Sequence, residues 1–149
     1  MPDLSGFFDE AGVHRYPLRV FYEDTDAGGI VYHANYLRFA ERARTEMLRL
    51  LGNSHARLLA EQGVSFAVRH VGIDFVAPAK LDDTLEVETR ITDIGGASFA
   101  VAQSVRRDGR ELARADVKVA MINRAGRPTR IPAPVRDALD TLYQRQKRD

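Results

Sequence analysis

Two carboxylates, Asp24 and Asp26, lie in a segment of acidic residues and glycines that directly precedes a predicted helix beginning at His33. A helix N-terminus offers unpaired backbone N–H groups and the positive end of the helix dipole, which together stabilise a developing oxyanion. A carboxylate beside such donors can act as a nucleophile or as a general base toward a carbonyl carbon. On spacing alone, however, both aspartates also fit a simple turn.

Other polar residues in or near this loop fit structural roles. His33 could be an acid, a base or a substrate-orienting group, but it also fits a capping or packing residue. Glu41 and Arg42 fall on the polar side of the predicted helix, where a solvated ion pair is typical. Thr25 and Asn35 are expected to make hydrogen bonds to the backbone.

Composition limits the classes of protein to which this chain can belong. Its 149 residues suit one domain, its formal net charge is +1, and it contains no cysteine. A net charge this close to zero predicts no nucleic-acid partner. The lack of cysteine predicts no disulfide and no thiolate chemistry. The histidines lack metal-ligand spacing, and no G-x-S-x-G or P-loop pattern occurs. We find no signal peptide and no apolar run near the roughly 20 residues of a membrane span, so we expect a cytoplasmic protein.

A long amphipathic helix is predicted from about His33 to Leu51, with Gly52 as its stop signal. Its apolar stripe recurs at steps of three and four residues and consists of Tyr36, Ala40, Ala43, Met47 and Leu50 or Leu51. The two alanines leave room for the close approach of a sheet. We also predict a short helix over 53–62 that ends at Gly63, and a terminal helix over about 134–147.

Five strands are predicted from apolar and polar residues that alternate with a period of two. The first covers Arg19–Tyr22, and the second covers Phe66–Phe75 with a bulge near His70, where the parity changes. The others lie near 85–91, 99–105 and 113–121. Gly95-Gly96 and Asp108-Gly109 are expected to supply the positive φ angles of two tight hairpin turns.

The order of elements predicts an α+β fold, because one strand and a long helix precede four antiparallel strands. In such a fold the helix lies on the sheet. The sheet has edges, and long edge strands favour a homodimer joined edge to edge.

The run from Arg19 to Arg44, RVFYEDTDAGGIVYHANYLRFAERAR, resembles the motif of the hotdog-fold acyl-CoA thioesterases. It is most similar to the 4-hydroxybenzoyl-CoA thioesterase family, and within it to the bacterial acyl-CoA thioesterases encoded beside the Tol/Pal cell-envelope system. The likeness extends over about residues 14–132. It implies a single hotdog domain over 1–149, in which one long central helix packs on a curved antiparallel sheet.

The resemblance also implies the reaction and the residues that carry it. The reaction is hydrolysis of an acyl-CoA thioester to free acid and coenzyme A. The catalytic carboxylate falls on Asp26, as nucleophile or general base, and the oxyanion-binding N–H falls on His33. Motif residues that shape the loop, the helix or the substrate site are Tyr22, Gly29, Val31, Tyr32, Tyr36, Glu41 and Arg44. Glu41 is a second candidate for the carboxylate, since some hotdog thioesterases carry it inside the helix.

The implied partners are an acyl-CoA substrate, an acyl carrier protein as an alternative, and further copies of the chain. The resemblance implies a homodimer or tetramer with the site between subunits, no metal, and no cofactor beyond the coenzyme A of the substrate. We expect a short or aromatic acyl group. The basic residues of segment 123–149 fit a site for the 3′-phosphate of coenzyme A, a solvated tail, or a contact for an anionic lipid or an acidic carrier protein equally well. Two other functions stay open: a hotdog enoyl-thioester hydratase or dehydratase, and a non-catalytic acyl-CoA or acyl-carrier binding module.

Overall fold

The computed structural model describes residues 4–147, which form six strands, three α-helices and one short 3₁₀ helix. The strands are β1 (Phe7–Phe8), β2 (His14–Arg19), β3 (Val64–Phe75), β4 (Thr84–Ile94), β5 (Ser98–Arg107) and β6 (Arg110–Asn123). The helices are α1 (His33–Leu50), α2 (His55–Gln62) and α3 (Ala133–Lys147). All strand pairs are antiparallel, and the order across the single sheet is β1-β2-β4-β5-β6-β3.

Helix α1 lies on one face of the sheet and contacts β2, β4 and β5. Ala40, Ala43 and Met47 of its apolar stripe are buried, and so is Phe39 beside them; the small side chains at 40 and 43 let the helix approach the strands closely. This confirms the predicted α+β arrangement. The helix contacts β3 only near its end at Phe75, so several apolar side chains along that strand stay half-exposed.

The predicted helices agree closely with the structure. Helix α2 begins after Ser54, whose hydroxyl accepts a hydrogen bond from the Arg57 N–H at 3.3 Å, and it ends at Gly63 with a φ of 65°. The terminal helix is α3, within one residue of its predicted start. Among the residues described, no helix is long and apolar enough to cross a membrane.

The first strand is not where the sequence pattern places it. The prediction of Arg19–Tyr22 is wrong, because β2 already ends at Arg19 and Tyr22–Asp24 forms a 3₁₀ helix. The Asp24 carboxylate accepts a hydrogen bond from the Phe21 N–H at 2.8 Å and turns the chain there. A short strand, β1, which the sequence analysis does not predict, pairs with β2.

One of the two predicted hairpin turns is also built differently. Asp108 and Gly109 have φ values of 51° and 79°, as a tight turn requires. Neither Gly95 nor Gly96 adopts the left-handed region, so that part of the prediction is wrong. A hydrogen bond of 2.7 Å from the Gly95 N–H to the Ser98 carbonyl closes this longer loop instead.

Strand β3 is the long edge of the sheet. It pairs with β6 along one side, and its register shifts between Val68 and His70, which confirms the predicted bulge. Its other side has no strand partner within residues 4–147. Such an edge offers unpaired backbone groups to another chain.

Candidate active site

The loop between β2 and α1 is folded by its own backbone. The Asp26 N–H donates to the Ile30 carbonyl at 2.9 Å, and the Gly29 N–H donates to the Asp26 carbonyl at 3.1 Å. Gly29 has a φ of 79°, a conformation that a side chain would strain. The Asp26 carboxylate accepts the Gly28 N–H at 2.8 Å and is otherwise exposed. The loop therefore fixes the backbone at Asp26 and leaves its carboxylate accessible.

Asp24 has a different role, because it is buried and both its carboxylate and its carbonyl accept hydrogen bonds from the same chain. Besides the bond from its carboxylate to the Phe21 N–H, its carbonyl accepts the Tyr32 N–H at 2.9 Å and the Asn35 side-chain amide at 2.8 Å. The Thr25 hydroxyl donates to the Tyr22 carbonyl at 2.9 Å. The predicted backbone roles of Thr25 and Asn35 are confirmed, and Asp24 is the residue that shapes the turn.

The start of α1 leaves backbone donors open. Tyr32 precedes the helix in an extended conformation, and no side chain caps it. Within residues 4–147 the His33 N–H has no hydrogen-bond acceptor. This donor lies at the positive end of the dipole of an 18-residue helix, which is the arrangement that stabilises an oxyanion.

A second segment of chain, just after β3, holds the loop in place. The Val31 N–H donates to the Ala79 carbonyl at 2.8 Å, and the Ala79 N–H donates to the Tyr36 hydroxyl at 3.0 Å. Val31 and Tyr36 are buried, so both support the loop from the core side. Burial raises the pKa of Tyr36 above its ordinary value. The same segment brings Lys80 beside Ile30 through an isolated bridge.

Tyr36→Phe tests this support. Within the described residues the Tyr36 hydroxyl is the only hydrogen-bond acceptor of the Ala79 N–H, and the substitution removes it. A buried donor left without a partner lowers stability by about 1–3 kcal/mol. We expect the free energy of unfolding to fall by about that amount, measured by urea denaturation. The matched control is Tyr32→Phe, since Tyr32 is 48% exposed and its loss should change stability little. Equal effects of the two substitutions would contradict the role of the Tyr36 hydroxyl.

Aromatic side chains surround the start of α1. The His33 ring lies 4.5 Å from that of Tyr32 and 6.3 Å from that of Phe75, measured between centroids. Tyr32 and Phe75 are each about half-exposed. Tyr22, in the preceding 3₁₀ helix, is almost fully exposed and is not part of this group of ring contacts. Phe75 ends β3, far away in sequence, so the local motif gives no sign that it belongs here. These rings provide an apolar surface beside the His33 N–H.

The structure separates Glu41 from the Asp26 loop within one chain. Glu41 lies eight residues beyond His33 on α1, a distance of about 12 Å along the helix axis. Neither Glu41 nor Arg42 forms an ion pair with any described residue, so the ion pair suggested by their position is absent there. Glu41 instead lines a cavity beside the second half of α1.

Basic side chains of the C-terminal segment are partly engaged within the chain. Arg124, Arg136 and Arg145 donate to the backbone carbonyls of Leu59, Gly95 and Asp9, respectively. Residues 148 and 149, which belong to the basic segment considered above, lie outside the described part of the chain. Lys80 pairs with Ile30 of the Asp26 loop through an isolated bridge, although the sequence pattern does not single it out.

Comparison with known proteins gives consistent matches over most of the chain. The model of the thioesterase-like superfamily matches residues 20–139. The acyl-CoA thioesterase YbgC of Haemophilus influenzae is 46% identical over 128 residues, which are 85% of this chain and 94% of that protein. The acyl-CoA thioester hydrolase YbgC of Escherichia coli O6:H1 is 54% identical over 91 residues, 61% of this chain and 67% of that protein.

A solved structure matches the fold as well. It is that of a probable thioesterase from Bartonella henselae, which is 40% identical and superimposes with a TM-score of 0.77. The match covers 80% of this chain and 99% of that one.

Proposed function

This chain belongs to the thioesterase-like superfamily and has its hotdog fold, and from that premise we propose that it hydrolyses acyl-CoA thioesters with the carboxylate of Asp26 and the backbone N–H of His33. One observation carries the assignment of residues. In the loop before α1, the Asp24 carboxylate is buried and accepts a hydrogen bond from the Phe21 N–H, whereas the Asp26 carboxylate is exposed in the segment that leads to α1, whose first N–H has no acceptor within residues 4–147.

Hydrolysis of a thioester requires a negatively charged oxygen and a group that stabilises the negative charge developing on the carbonyl oxygen. As a nucleophile, Asp26 forms a bond from a carboxylate oxygen to the thioester carbonyl carbon, and the coenzyme A thiolate leaves. Water then hydrolyses the mixed anhydride and restores the carboxylate. As a general base, Asp26 takes a proton from water while the water oxygen attacks the same carbon; the C–S bond then breaks, and the coenzyme A thiolate leaves and takes up the proton. In both routes the His33 N–H and the helix dipole stabilise the oxyanion, and no metal or further cofactor takes part.

We propose that the working enzyme is a homodimer or a larger oligomer, in which a second copy covers the Asp26 loop. Two features support this. The Asp26 carboxylate lies at the surface of a single chain, where water would weaken its electrostatic effect. In addition, the 12-residue edge strand β3 and its half-exposed apolar side chains Val68 and Phe75 are available to a second copy.

We also propose that basic side chains bind the phosphates of coenzyme A. Lys80 lies next to the loop, while Arg127 and Arg130 are exposed in the basic C-terminal segment, so each of these can meet a phosphate. An acyl carrier protein would present its thioester to the same loop. The proposal also places the enzyme in the cytoplasm, as the sequence analysis expects.

A thiol-release assay tests the function. The purified chain is incubated with butyryl-CoA, decanoyl-CoA, benzoyl-CoA and an enoyl-CoA, and free coenzyme A is followed with a colorimetric thiol reagent. A thioesterase releases thiol from at least one saturated or aromatic substrate. A hydratase would consume the enoyl-CoA without release of thiol, and a binding module would do neither. Either of those results would contradict the proposed function.

A further inference from the structure

The two groups assigned to the reaction belong to different elements of the fold. Residues 24–32 form a small antiparallel hairpin, in which Thr25 pairs with Val31 and the Asp26 N–H donates to the Ile30 carbonyl at 2.9 Å. The Asp26 carboxylate belongs to this hairpin, whereas the His33 N–H belongs to α1, which begins directly after it. Any rocking of the hairpin against the helix would therefore change the distance between the carboxylate and the N–H.

One helical side chain reaches back from α1 to the hairpin. The Asn35 side-chain amide, in the first turn of the helix, donates to the carbonyl of Asp24, the first residue of the hairpin, at 2.8 Å. Because a carbonyl oxygen only accepts hydrogen bonds, the nitrogen end of the amide must face it. Within residues 4–147 this is the only hydrogen bond that joins a side chain of α1 to the hairpin.

The other hydrogen bonds near this point do not replace that link. The Asp24 carbonyl also accepts the Tyr32 N–H at 2.9 Å, but Tyr32 is the last residue of the hairpin, so this bond closes the hairpin upon itself. Tyr36 is joined to the hairpin only through Ala79, whose N–H donates to the Tyr36 hydroxyl and whose carbonyl accepts an N–H of the hairpin. Asn35 therefore supplies the direct bond between the helix and the hairpin.

Both partners of this bond are buried. Asn35 is 6% exposed and Asp24 is 8% exposed, so water competes little with the bond and cannot easily replace it. Burial also keeps the Asn35 amide away from a substrate that approaches the exposed Asp26 carboxylate. Asn35 can thus influence the reaction through the groups that it holds.

We propose that Asn35 is a positioning residue, which holds the Asp26 hairpin so that the carboxylate and the His33 N–H meet the same thioester carbonyl. This inference rests on the proposed function, since it assigns no chemistry to Asn35 itself. In both routes the carboxylate, or the water that it activates, approaches the carbonyl carbon while the N–H binds the carbonyl oxygen. A misplacement of about 1 Å is enough to lower a rate by up to about 100-fold.

Asn35→Ala removes the link, and Asn53→Ala is its matched control. Asn53 is 7% exposed at the opposite end of α1, and its side-chain amide also donates to a backbone carbonyl, that of Leu51, at 3.3 Å. Both substitutions should lower the midpoint of urea denaturation. Only Asn35→Ala should lower the single-turnover rate of thiol release, by about 10- to 100-fold, and its Kd for free coenzyme A should be unchanged. The substrate is whichever of butyryl-CoA, decanoyl-CoA and benzoyl-CoA the wild type hydrolyses fastest.

A double-mutant cycle with Asp26→Asn separates positioning from a loss of folded protein. If Asn35 acts through the Asp26 carboxylate, Asn35→Ala should change the residual rate of Asp26→Asn by less than about threefold, because residues that act as a unit do not give additive losses. A loss of folded enzyme would instead multiply the two effects, so that the double variant would be slower by the full factor of each substitution.

Asn35→Asp gives an independent measurement and takes the place of Asn35→Ala if that variant does not fold. The ionised carboxylate would set an oxygen against the Asp24 carbonyl oxygen, whereas the protonated carboxyl can donate its O–H and restore the bond. Burial and a hydrogen bond made by the neutral form both raise the pKa of a carboxyl. The ratio of the rate of Asn35→Asp to that of the wild type should therefore rise about tenfold between about pH 8 and about pH 6. A dithiodipyridine reagent reports the released thiol at both pH values.

Several results would overturn the inference alone. They are a rate of Asn35→Ala within threefold of the wild type, an equal loss of rate in Asn53→Ala, losses that multiply in the double variant, or a rate ratio of Asn35→Asp that does not change with pH. Weaker binding of coenzyme A with an unchanged rate would make Asn35 a binding residue, and failure of both Asn35 variants to fold would make it a folding residue. Absence of thiol release by the wild type, or a wild-type rate in Asp26→Asn, would instead overturn the proposed function and this inference with it.

Discussion

Asp26→Asn is expected to lower kcat for acyl-CoA hydrolysis by about 10³-fold and to leave the free energy of unfolding unchanged. The variant loses the negative oxygen that attacks the carbonyl or accepts a proton from water. It keeps the fold of the loop, because the asparagine side-chain oxygen can still accept the Gly28 N–H that lies 2.8 Å from the Asp26 carboxylate. Steady-state thiol release and urea denaturation measure the two effects separately.

Glu23→Gln is the matched control for this variant. Glu23 is an exposed carboxylate three residues earlier in the same loop, so its replacement removes the same charge without touching the proposed site. Its kcat should stay within a few-fold of wild type. If both variants lose activity equally, the effect comes from the net charge of the loop, and Asp26 has no special role.

The second large effect is expected from Val68→Asp on the edge strand β3. Val68 is 49% exposed on a strand whose outer edge has no partner strand among the described residues, and a symmetric dimer formed there repeats every substitution on both copies. In the dimer the introduced carboxylate would be buried near the equivalent carboxylate of the second copy. The cost of burial and the repulsion between like charges both disfavour association. We expect the wild type to sediment as a dimer or larger at micromolar concentration, the variant to sediment as a monomer, and kcat/KM of the variant to fall by about 100-fold.

Because Val68 also lines the cavity beside α1, the concentration dependence of the activity is the decisive measurement. Activity per chain should rise with protein concentration in Val68→Asp, since mass action restores a weakened dimer. A defect confined to the cavity would be independent of concentration. Leu59→Asp, at a position 47% exposed on α2, is the matched control and should stay associated and active. A fully active wild-type monomer would refute the need for a second copy.

Regular elements of the fold follow from local patterns in the sequence. The spacing of Tyr36, Ala40, Ala43 and Met47 predicts α1, because these positions share one face of a helix. The change of parity near His70 predicts the bulge in β3, because an extra residue shifts every later side chain to the other face.

Local patterns fail where a hydrogen bond decides the conformation. The aromatic and β-branched residues 19–22 fit a strand, yet the Asp24 carboxylate bonds to the Phe21 N–H and produces a 3₁₀ helix. A glycine pair permits positive φ without requiring it. At Gly95 and Gly96 the bond between the Gly95 N–H and the Ser98 carbonyl closes a different loop.

The sequence motif identifies the site only in part. Spacing alone cannot distinguish Asp24 from Asp26, and the difference appears only when the hydrogen bonds of each are known. Phe75 and Lys80 reach the loop through long-range packing, as does the Ala79–Tyr36 hydrogen bond between residues 43 positions apart. Arg44 lies within the motif, but its burial beside a cavity requires the folded chain.

The most direct test of the account is the rate of thiol release in a single turnover, with enzyme in excess over acyl-CoA. This rate excludes product release and, at saturation, substrate binding, so it reports the step in which the thioester bond breaks. We expect that Asp26→Asn, folded and associated as the wild type is, binds acyl-CoA with an unchanged Kd and releases thiol about 10³-fold more slowly. A single-turnover rate within tenfold of the wild type would contradict it.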